Sequence, residues 1–293
     1  MSQKVLLSGG TGFVGRGIVN KLIARGDEVF VLTRNPQKCN EVFNSKVTAI
    51  EWKSYNDIFD TKKLSGLDTV INLVGESLTN KRWSDNQKKE IYNSRVVATD
   101  NIFKSLRAGN IKVDQFISTS AIGVYGEGFL KNVCEKWEEA AFKGKDSYER
   151  LVVMRLSVVL GADDGMIQEL APIFKLGLGG KLGSGSQMMS WIHIDDLSDM
   201  YIEAMENKEV NGPVNAVSRF NVSNKEFTKM FAKLIGKKAK FTVPKFMLFI
   251  AKGEVASMIL ESMDVVPTRF NELKFKYNFA TMELALKDIV SKL

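Results

Sequence analysis

Residues Lys4 to Gly15, KVLLSGGTGFVG, constrain this chain more than any other stretch. A short apolar run, Val5-Leu6-Leu7, stops at a glycine-rich turn. An amphipathic run follows from about Phe13 and carries Val14, Ile18, Val19, Leu22 and Ile23. The order is strand, tight turn, helix. Gly9, Gly12 and Gly15 lie three apart, and Gly10, Gly12 and Gly15 satisfy the spacing of a dinucleotide-binding corner. Glycine lets the backbone turn sharply, lets a diphosphate approach the main chain, and lets the helix pack close on its strand. The free N–H groups at the helix start then face an anion.

A chain of 293 residues suits one large domain, or a domain with a smaller appendage. Hydrophobic residues make up 44%, enough for a full core. The two cysteines, Cys39 and Cys134, form no disulfide framework and show no metal-ligand spacing, so no metal is expected. A reducing, cytoplasmic compartment is expected. The first residues run directly into a strand, which predicts no signal peptide. The longest apolar candidate, Phe246 to Ala251, is far too short for a membrane span, so no membrane partner is expected. Net charge is +7. Either the surface is simply lysine-rich, or a partner is anionic. The KK pairs at 62–63, 88–89 and 237–238 are short and scattered, and no aromatic–basic interleaving favours nucleic acid. The phosphates of a bound dinucleotide would use some of the excess charge.

Glu28 to Thr33 reads as the second strand, and its end selects the cofactor. An acidic residue there would bind ribose hydroxyls and repel a 2′-phosphate. The sequence instead continues Thr33-Arg34-Asn35-Pro36. A hydroxyl and a guanidinium suit a 2′-phosphate, so NADP is favoured over NAD. The plainer alternative is a surface arginine after a strand.

Val47 to Trp52 reads as a third strand, and Asp68 to Val74 as a buried parallel one ending in Gly75-Glu76. Backbone of Leu73 to Gly75 would lie beside the cofactor. Ser84 to Arg107 shows one long helical pattern, with Ile91, Val96, Ile102, Phe103 and Leu106 on one side and Glu90 and Arg95 along it. Asp114 to Ser118, Leu130 to Phe142 and Arg150 to Leu156 read as strand, helix, strand. The alternation predicts an α/β fold, a doubly wound parallel (Rossmann) sheet over about 1–160, with part of 190–217 returning to it. Residues 161–293 form a smaller, mostly helical substrate-side region. Glycines 177, 179, 180, 183 and 185 crowd a loop that ends in SWIHIDDL, where Asp195 or Asp196 would cap a helix. Pro213 to Val217 reads as a late strand, Ser223 with Glu226 as a capping box, and 244–263 and 281–292 as helices.

These residues resemble the extended short-chain dehydrogenase/reductases, the sugar-nucleotide epimerase-like proteins. The matching pieces are SGGTGFVG, DTVINLVGE, STSAIGVYG and SWIHIDDL. NLVGESL, KRW, NSR, VVLG and GLGGKLGSG are similar to an atypical NADP-binding subgroup with a C-terminal helical extension. Carried onto the matching positions, the resemblance implies NADP contacts from Gly9, Thr11, Gly12, Phe13 and Val14, and from Thr33 and Arg34. It implies further contacts from Leu73, Val74, Gly75, Glu90, Arg95 and Val158, and Ser118 at the end of the fifth strand is a further cofactor-binding candidate.

Typical members pair a tyrosine acid/base with a lysine four residues on, one helical turn apart, so that both face one pocket. Here the six tyrosines are followed at that spacing by Phe59, Val96, Phe129, Val152, Met205 and Thr281. The pair is absent. The resemblance places Leu130 and Cys134 at those positions, and the helper hydroxyl near Ala121, with Ser120 adjacent. The loop from Tyr125 to Phe129 is shorter than the subgroup usually shows. Catalytic candidates are Ser120, Tyr125 and His193. His193 suits proton transfer but also reads as a hydrogen-bonded structural residue, and Tyr125 as a packed wall residue. Cys134 reads as a buried helix residue with no nearby cation or base, and Glu76 either orients a substrate or caps a loop.

Two functions fit. One is an NADP(H)-binding, epimerase-like oxidoreductase acting on a small-molecule substrate with an unusual proton relay. The other is a catalytically silent NADP(H)-binding regulatory protein, since relatives are sometimes linked to cell or plastid division. RNA binding would rest on charge alone.

Overall fold

The structure, a computed structural model, describes residues 2–293. It divides into two compact units. The first comprises the chain up to Glu76, Lys88–Arg155 and Ser198–Val214; the second comprises Ser77–Gln87, Leu156–Leu197 and Asn215–Leu293. The chain opens with β1 (Lys4–Ser8), α1 (Phe13–Arg25), β2 (Glu28–Thr33), α2 (Pro36–Val42), β3 (Thr48–Glu51) and β4 (Thr69–Asn72). Next come α3 (Asp85–Asn93), α4 (Val96–Ala108), β5 (Val113–Ala121), α5 (Gly128–Lys143) and β6 (Tyr148–Leu156). Then follow β7 (Val158–Leu160), α6 (Met166–Lys175), β8 (Gly180–Leu182), β9 (Met188–Met189), β10 (Trp191–His193), α7 (Ile194–Glu206) and β11 (Gly212–Ala216). The last elements are β12 (Val222–Ser223), α8 (Asn224–Leu234), β13 (Phe241–Val243), α9 (Lys245–Lys252), α10 (Val255–Leu260), α11 (Thr268–Glu272) and α12 (Met282–Ser291).

Seven strands form one sheet in the order β11-β6-β5-β4-β1-β2-β3. The pairs β1–β2, β2–β3, β1–β4 and β4–β5 are all parallel. The winding reverses between β1 and β4, so their carboxyl ends open a crevice, as expected of a doubly wound sheet. Val5, Leu6, Leu7, Val70, Ile71, Phe116 and Ile117 are wholly buried. Helices on both faces explain why these strands read as unbroken apolar runs rather than alternating ones. On one face Phe103 of α4 meets Phe116, with ring centroids 4.5 Å apart, and Tyr148 closes the cluster.

Three local expectations need correction. The pattern over Ser84 to Arg107 is two helices, α3 and α4, interrupted at Ser94-Arg95. There the Ser94 hydroxyl bonds back to the Ile91 carbonyl at 3.1 Å, and such back-bonding competes with the helical ladder. The expected helix over 244–263 is split at Gly253, whose φ is +61°. Neither Asp195 nor Asp196 is the cap of α7, because the helix already begins at Ile194. The His193 ring does that work instead: its Nδ1 accepts the Asp195 N–H at 3.2 Å. The capping box at Ser223 and Glu226 forms as read.

In the second unit, Trp191, Phe227, Phe231, Phe174, Leu286 and Ile289 build the core. Its last segment is tied down through SWIHIDDL. Asp196 accepts the backbone N–H groups of Asn278 and Phe279 at 2.8 and 3.0 Å. His193 stacks on Phe279 at 3.7 Å, and its Nε2 meets the Asp288 carboxylate at 3.2 Å. With Nδ1 accepting from the backbone, Nε2 carries the proton and donates to Asp288. Burial lowers the His193 pKa, Lys292 lowers it further, and Asp195, Asp288 and Asp196 oppose both.

This arrangement fixes a pH dependence. The unfolded imidazole, with a pKa near about 6.5, takes up its proton before the folded one does. The stabilisation is complete above that pH and is lost as pH falls toward the lower folded value. His193→Gln should melt lower than the parent near neutrality. Its further loss of melting temperature between about pH 7 and pH 5 should be shallower. Equal slopes in the two proteins would assign the dependence to other groups.

Candidate dinucleotide site

The carboxyl ends of the central strands are in register. Ser8 pairs with Leu32 on one side and with Asn72 on the other, and Asn72 pairs with Ser118. The segments that follow, beginning at Gly9, Arg34, Leu73 and Thr119, therefore leave the sheet along one edge. That edge gathers most of the residues predicted to touch the cofactor.

Close backbone contact dictates the glycines. Gly9 has φ +68°, and a Cβ on it would lie 2.9 Å from the Leu73 carbonyl oxygen. A Cβ on Gly15 would lie 2.3 Å from the Gly9 oxygen and 2.7 Å from the Gly10 Cα. Gly12 is the N-cap of α1; no side chain caps that end, and no acidic residue stands in its first turn. The Gly12 N–H closes the turn onto the Gly9 carbonyl at 3.0 Å. Thr11, Phe13 and Val14 are half-buried around an exposed Gly12. A helix N-terminus uncapped by side chains, at the end of a cradle that a Cβ would fill, fits a pyrophosphate.

A chain of buried polar side chains sets the height of the opposite wall. Ser8 Oγ donates to Asn72 Oδ1 at 2.6 Å, and Asn72 Nδ2 donates to Thr99 Oγ1 at 2.9 Å. Trp137 Nε1 donates to the same Thr99 oxygen at 3.2 Å. Ser8 Oγ also accepts the N–H groups of Leu73 and Val74 at 3.1 and 3.2 Å. The helix interruption continues this wall. Ser94 Oγ accepts the Glu76 N–H at 2.9 Å, and Arg95 Nη2 donates to the Glu76 carbonyl at 3.0 Å. Glu76 thus has its backbone clamped on both sides. Arg95 also lies 5.3 Å over the Trp137 ring, and burial lowers its pKa to about 10, so it stays charged at neutral pH.

Arg34 is exposed just beyond β2, where Thr33 Oγ1 accepts the Asn35 N–H at 3.1 Å. The Tyr55 hydroxyl donates to the Glu90 carboxylate. Burial first, and then that bond, pushes Tyr55 up to about 12, with Glu76 adding and Arg34 opposing. Glu90, Glu76 and Arg34 therefore all lie within electrostatic reach of one phenol. Neither Tyr55 nor the Ser8–Asn72–Thr99 chain emerges from motif reading. The available signal was Ser8 and Asn72 themselves, polar residues at the ends of two apolar strands. Ser118 is buried in β5, and its hydroxyl meets the Thr119 carbonyl at 3.4 Å. Val158 belongs to the second unit, where it is exposed in β7.

The catalytic candidates separate. His193 lies in the second unit with both ring nitrogens engaged. Ser120 is buried and donates to Glu138 at 2.7 Å. Glu138 receives Arg155 through two bonds of 2.8 and 2.7 Å, and this hydrogen bonding raises the Arg155 pKa. Arg155 also donates to the Tyr125 hydroxyl at 2.7 Å. Tyr125 is 51% exposed rather than packed into a wall, which corrects the sequence reading. Cys134 is buried as expected, but a cation does stand near it. The Arg95 charge favours the thiolate, burial outweighs it, and the thiol rises to about 11. A Cβ on Gly123 would meet Cys134 Sγ at 3.4 Å and Leu130 Cβ at 3.7 Å, so these two α5 residues face the turn after β5.

A doubly wound sheet with a glycine cradle at its switch point defines an epimerase-like, NAD(P)-binding fold. Residues 5–135 match the NAD dependent epimerase/dehydratase family, and residues 243–289 match a domain of unknown function, DUF1731. The chain belongs to this epimerase/dehydratase family, within the SDR39U1-like epimerase family proteins. It is 33% identical to the Mus musculus epimerase family protein SDR39U1, over 99% of this chain and all of the relative. It is 31% identical to the Arabidopsis thaliana chloroplastic SDR39U1 homolog, over 98% of this chain and 86% of that protein. The crystal structure of human epimerase family protein SDR39U1 (isoform 2), solved with NADPH, superposes with a TM-score of 0.88. It is 31% identical and covers 99% of this chain and 100% of that one. No helix among the described residues is long and apolar enough to cross a membrane.

The cradle makes a graded prediction. Gly15→Ala should lower folding stability by about 1–3 kcal/mol, the range for overpacking against atoms that cannot yield. Gly12→Ala, whose Cβ would approach nothing closer than 3.3 Å, should lower it much less. Thermal denaturation of the two variants side by side would reverse this reading if Gly12→Ala proved the worse.

Proposed function

We propose that this chain binds NADP(H) at the β1–α1 corner and is an epimerase-like oxidoreductase for a small-molecule substrate. The observation that carries the reading is the cradle of Gly9, Gly12 and Gly15 at an uncapped helix start, with the exposed Arg34 beyond the neighbouring strand. Amides of Phe13 and Val14, past the Gly12 N–H that closes the turn, would hold the pyrophosphate. The Arg34 guanidinium, with Thr33, would take the 2′-phosphate, and the clamped Leu73–Gly75 backbone would lie along the ribose. The human SDR39U1 structure with NADPH supports the same choice of cofactor. Bound NADPH supplies hydride chemistry, and the chain must supply position and a proton.

Tyr125 is the proton donor in this reading. The residue is exposed and its hydroxyl accepts from Arg155, which would fix the direction in which it offers its proton. Glu138 and Ser120 hold Arg155 in place. His193 is a structural residue here, since an engaged imidazole has no nitrogen left for a substrate. The second reading, a silent NADP(H)-binding regulator, draws on Leu130 and Cys134 of α5, which the resemblance places where typical members of the superfamily carry the tyrosine and lysine. A cytoplasmic location fits either reading.

Calorimetry distinguishes the cofactor claim. Arg34→Glu should weaken NADPH binding by roughly 10- to 100-fold, as expected for one charged hydrogen-bonding group, and leave NADH nearly unchanged. Equal loss for both would reject the 2′-phosphate role. NADPH oxidation over a panel of carbonyl compounds tests the chemistry. For any compound turned over, Tyr125→Phe should lower kcat by about 100-fold with NADPH affinity intact. NADPH binding without turnover of any compound would favour the silent regulator.

A further inference from the structure

The second unit carries a surface that the cofactor reading does not use. At the carboxyl end of α8, a hollow of about 780 Å³ is lined by Lys229, Lys233, Lys237, Lys238 and Lys240, with Phe241 among them. Phe241 is 51% exposed and leads through β13 into α9. No residue of α9 is buried. Phe246, Met247, Phe249 and Ile250 stand 64%, 51%, 47% and 68% exposed. At 3.6 residues per turn these four side chains share one face about 160° wide. From Lys237 to Ile250 no position is buried, so basic and apolar groups follow one another along a single ribbon of exposed and half-exposed chain.

The helix does not stand outward through fraying. Arg82 donates to the carbonyls of Ile250 and Ala251, and Lys252 pairs with Glu169 at 3.1 Å. The start of α9 is fixed by β13, which pairs with β8 in parallel register. A rigidly held helix with four large apolar side chains in water marks a contact surface.

We propose that this ribbon docks the protein on a membrane surface that contains anionic lipids. Lipid phosphates neutralise the lysines of the hollow, and the α9 face enters the boundary between headgroups and acyl chains. Charge complementarity selects this partner. A second copy of the chain, related by a two-fold axis through the patch, would oppose lysine to lysine. Nucleic acid would match the charge, but Met247 and Ile250 offer neither a stacking ring nor a polar edge for a base. The docking is peripheral, so it departs from the expectation of no membrane partner without requiring a spanning helix, and it does not depend on the cofactor reading.

Flotation of the full chain with vesicles tests it. The protein should bind vesicles of phosphatidylcholine mixed with phosphatidylglycerol, release at high salt, and leave pure phosphatidylcholine unbound. Lys237→Glu, Lys238→Glu and Lys240→Glu should each weaken binding by about fivefold or more. Phe246→Glu with Ile250→Glu should abolish it, while the melting temperature stays at the parental value. Failure of the folded parent to bind the anionic vesicles would overturn the proposal. So would full retention of binding by the Phe246/Ile250 double variant, which is simple polyanion adsorption. Loss of a dimer by that variant, in a parent that floats with no vesicle, would assign the face to a second copy.

Discussion

The hydrogen bond from Ser8 to Asn72 joins the carboxyl ends of β1 and β4 at the point where the sheet reverses its winding. Both residues are completely buried, so each must find partners or carry a desolvation cost of about 1–3 kcal/mol. Ser8 spends its remaining capacity on the amides of Leu73 and Val74. Asn72 passes the connection to Thr99, which Trp137 also reaches. A satisfied buried network of this kind has one geometry and therefore fixes the segment after β4. Gly9 lies against the Leu73 carbonyl in the place that this network gives it, with no room for a Cβ. The glycine turn that was legible first thus depends on polar contacts that were not.

Charge around this edge is fixed rather than switchable near neutrality. Arg95 remains protonated although burial lowers it to about 10, and Cys134 remains a thiol because burial lifts it to about 11. Arg155 is held charged by its doubled contact with Glu138. Desolvation decides the sign for both Arg95 and Cys134, and the neighbouring charge only trims it. Cys134 thus offers no nucleophile.

What the sequence disclosed was local. KVLLSGGTGFVG and the residues to Ile23 read as strand, turn and helix because each property needed, apolar run, glycine and amphipathic period, lies within this one short stretch. The box at Ser223 and Glu226 is equally local. Failures occurred where distant residues intervene. The periodicity across Ser84 to Arg107 is continuous, yet Ser94 and Arg95 turn to the backbone of Glu76, eighteen and nineteen positions away, and the helix breaks. Tyr125 is aromatic beside a valine, which suggests packing, yet it is exposed and its hydroxyl is held by Arg155, thirty positions along. The bond between Tyr55 and Glu90 spans thirty-five positions and has no motif.

The α5 face toward Gly123 shows why the fold persists where the usual tyrosine and lysine are absent. Leu130 and Cys134 pack against the turn after β5, where the Cys134 sulfur finds a backbone partner at Ala121. A lysine at position 134 would bring its ammonium into the buried surroundings that Arg95 already charges. Two like charges in one desolvated site oppose each other, and each would need its own acceptor. Arg95 already commits its guanidinium to the carbonyls of Ile91 and Glu76. The clamp on the wall after β4 and a lysine on α5 are therefore competing uses of one small volume. This chain has the clamp, and its exposed phenol, Tyr125, meets a guanidinium elsewhere, at Arg155.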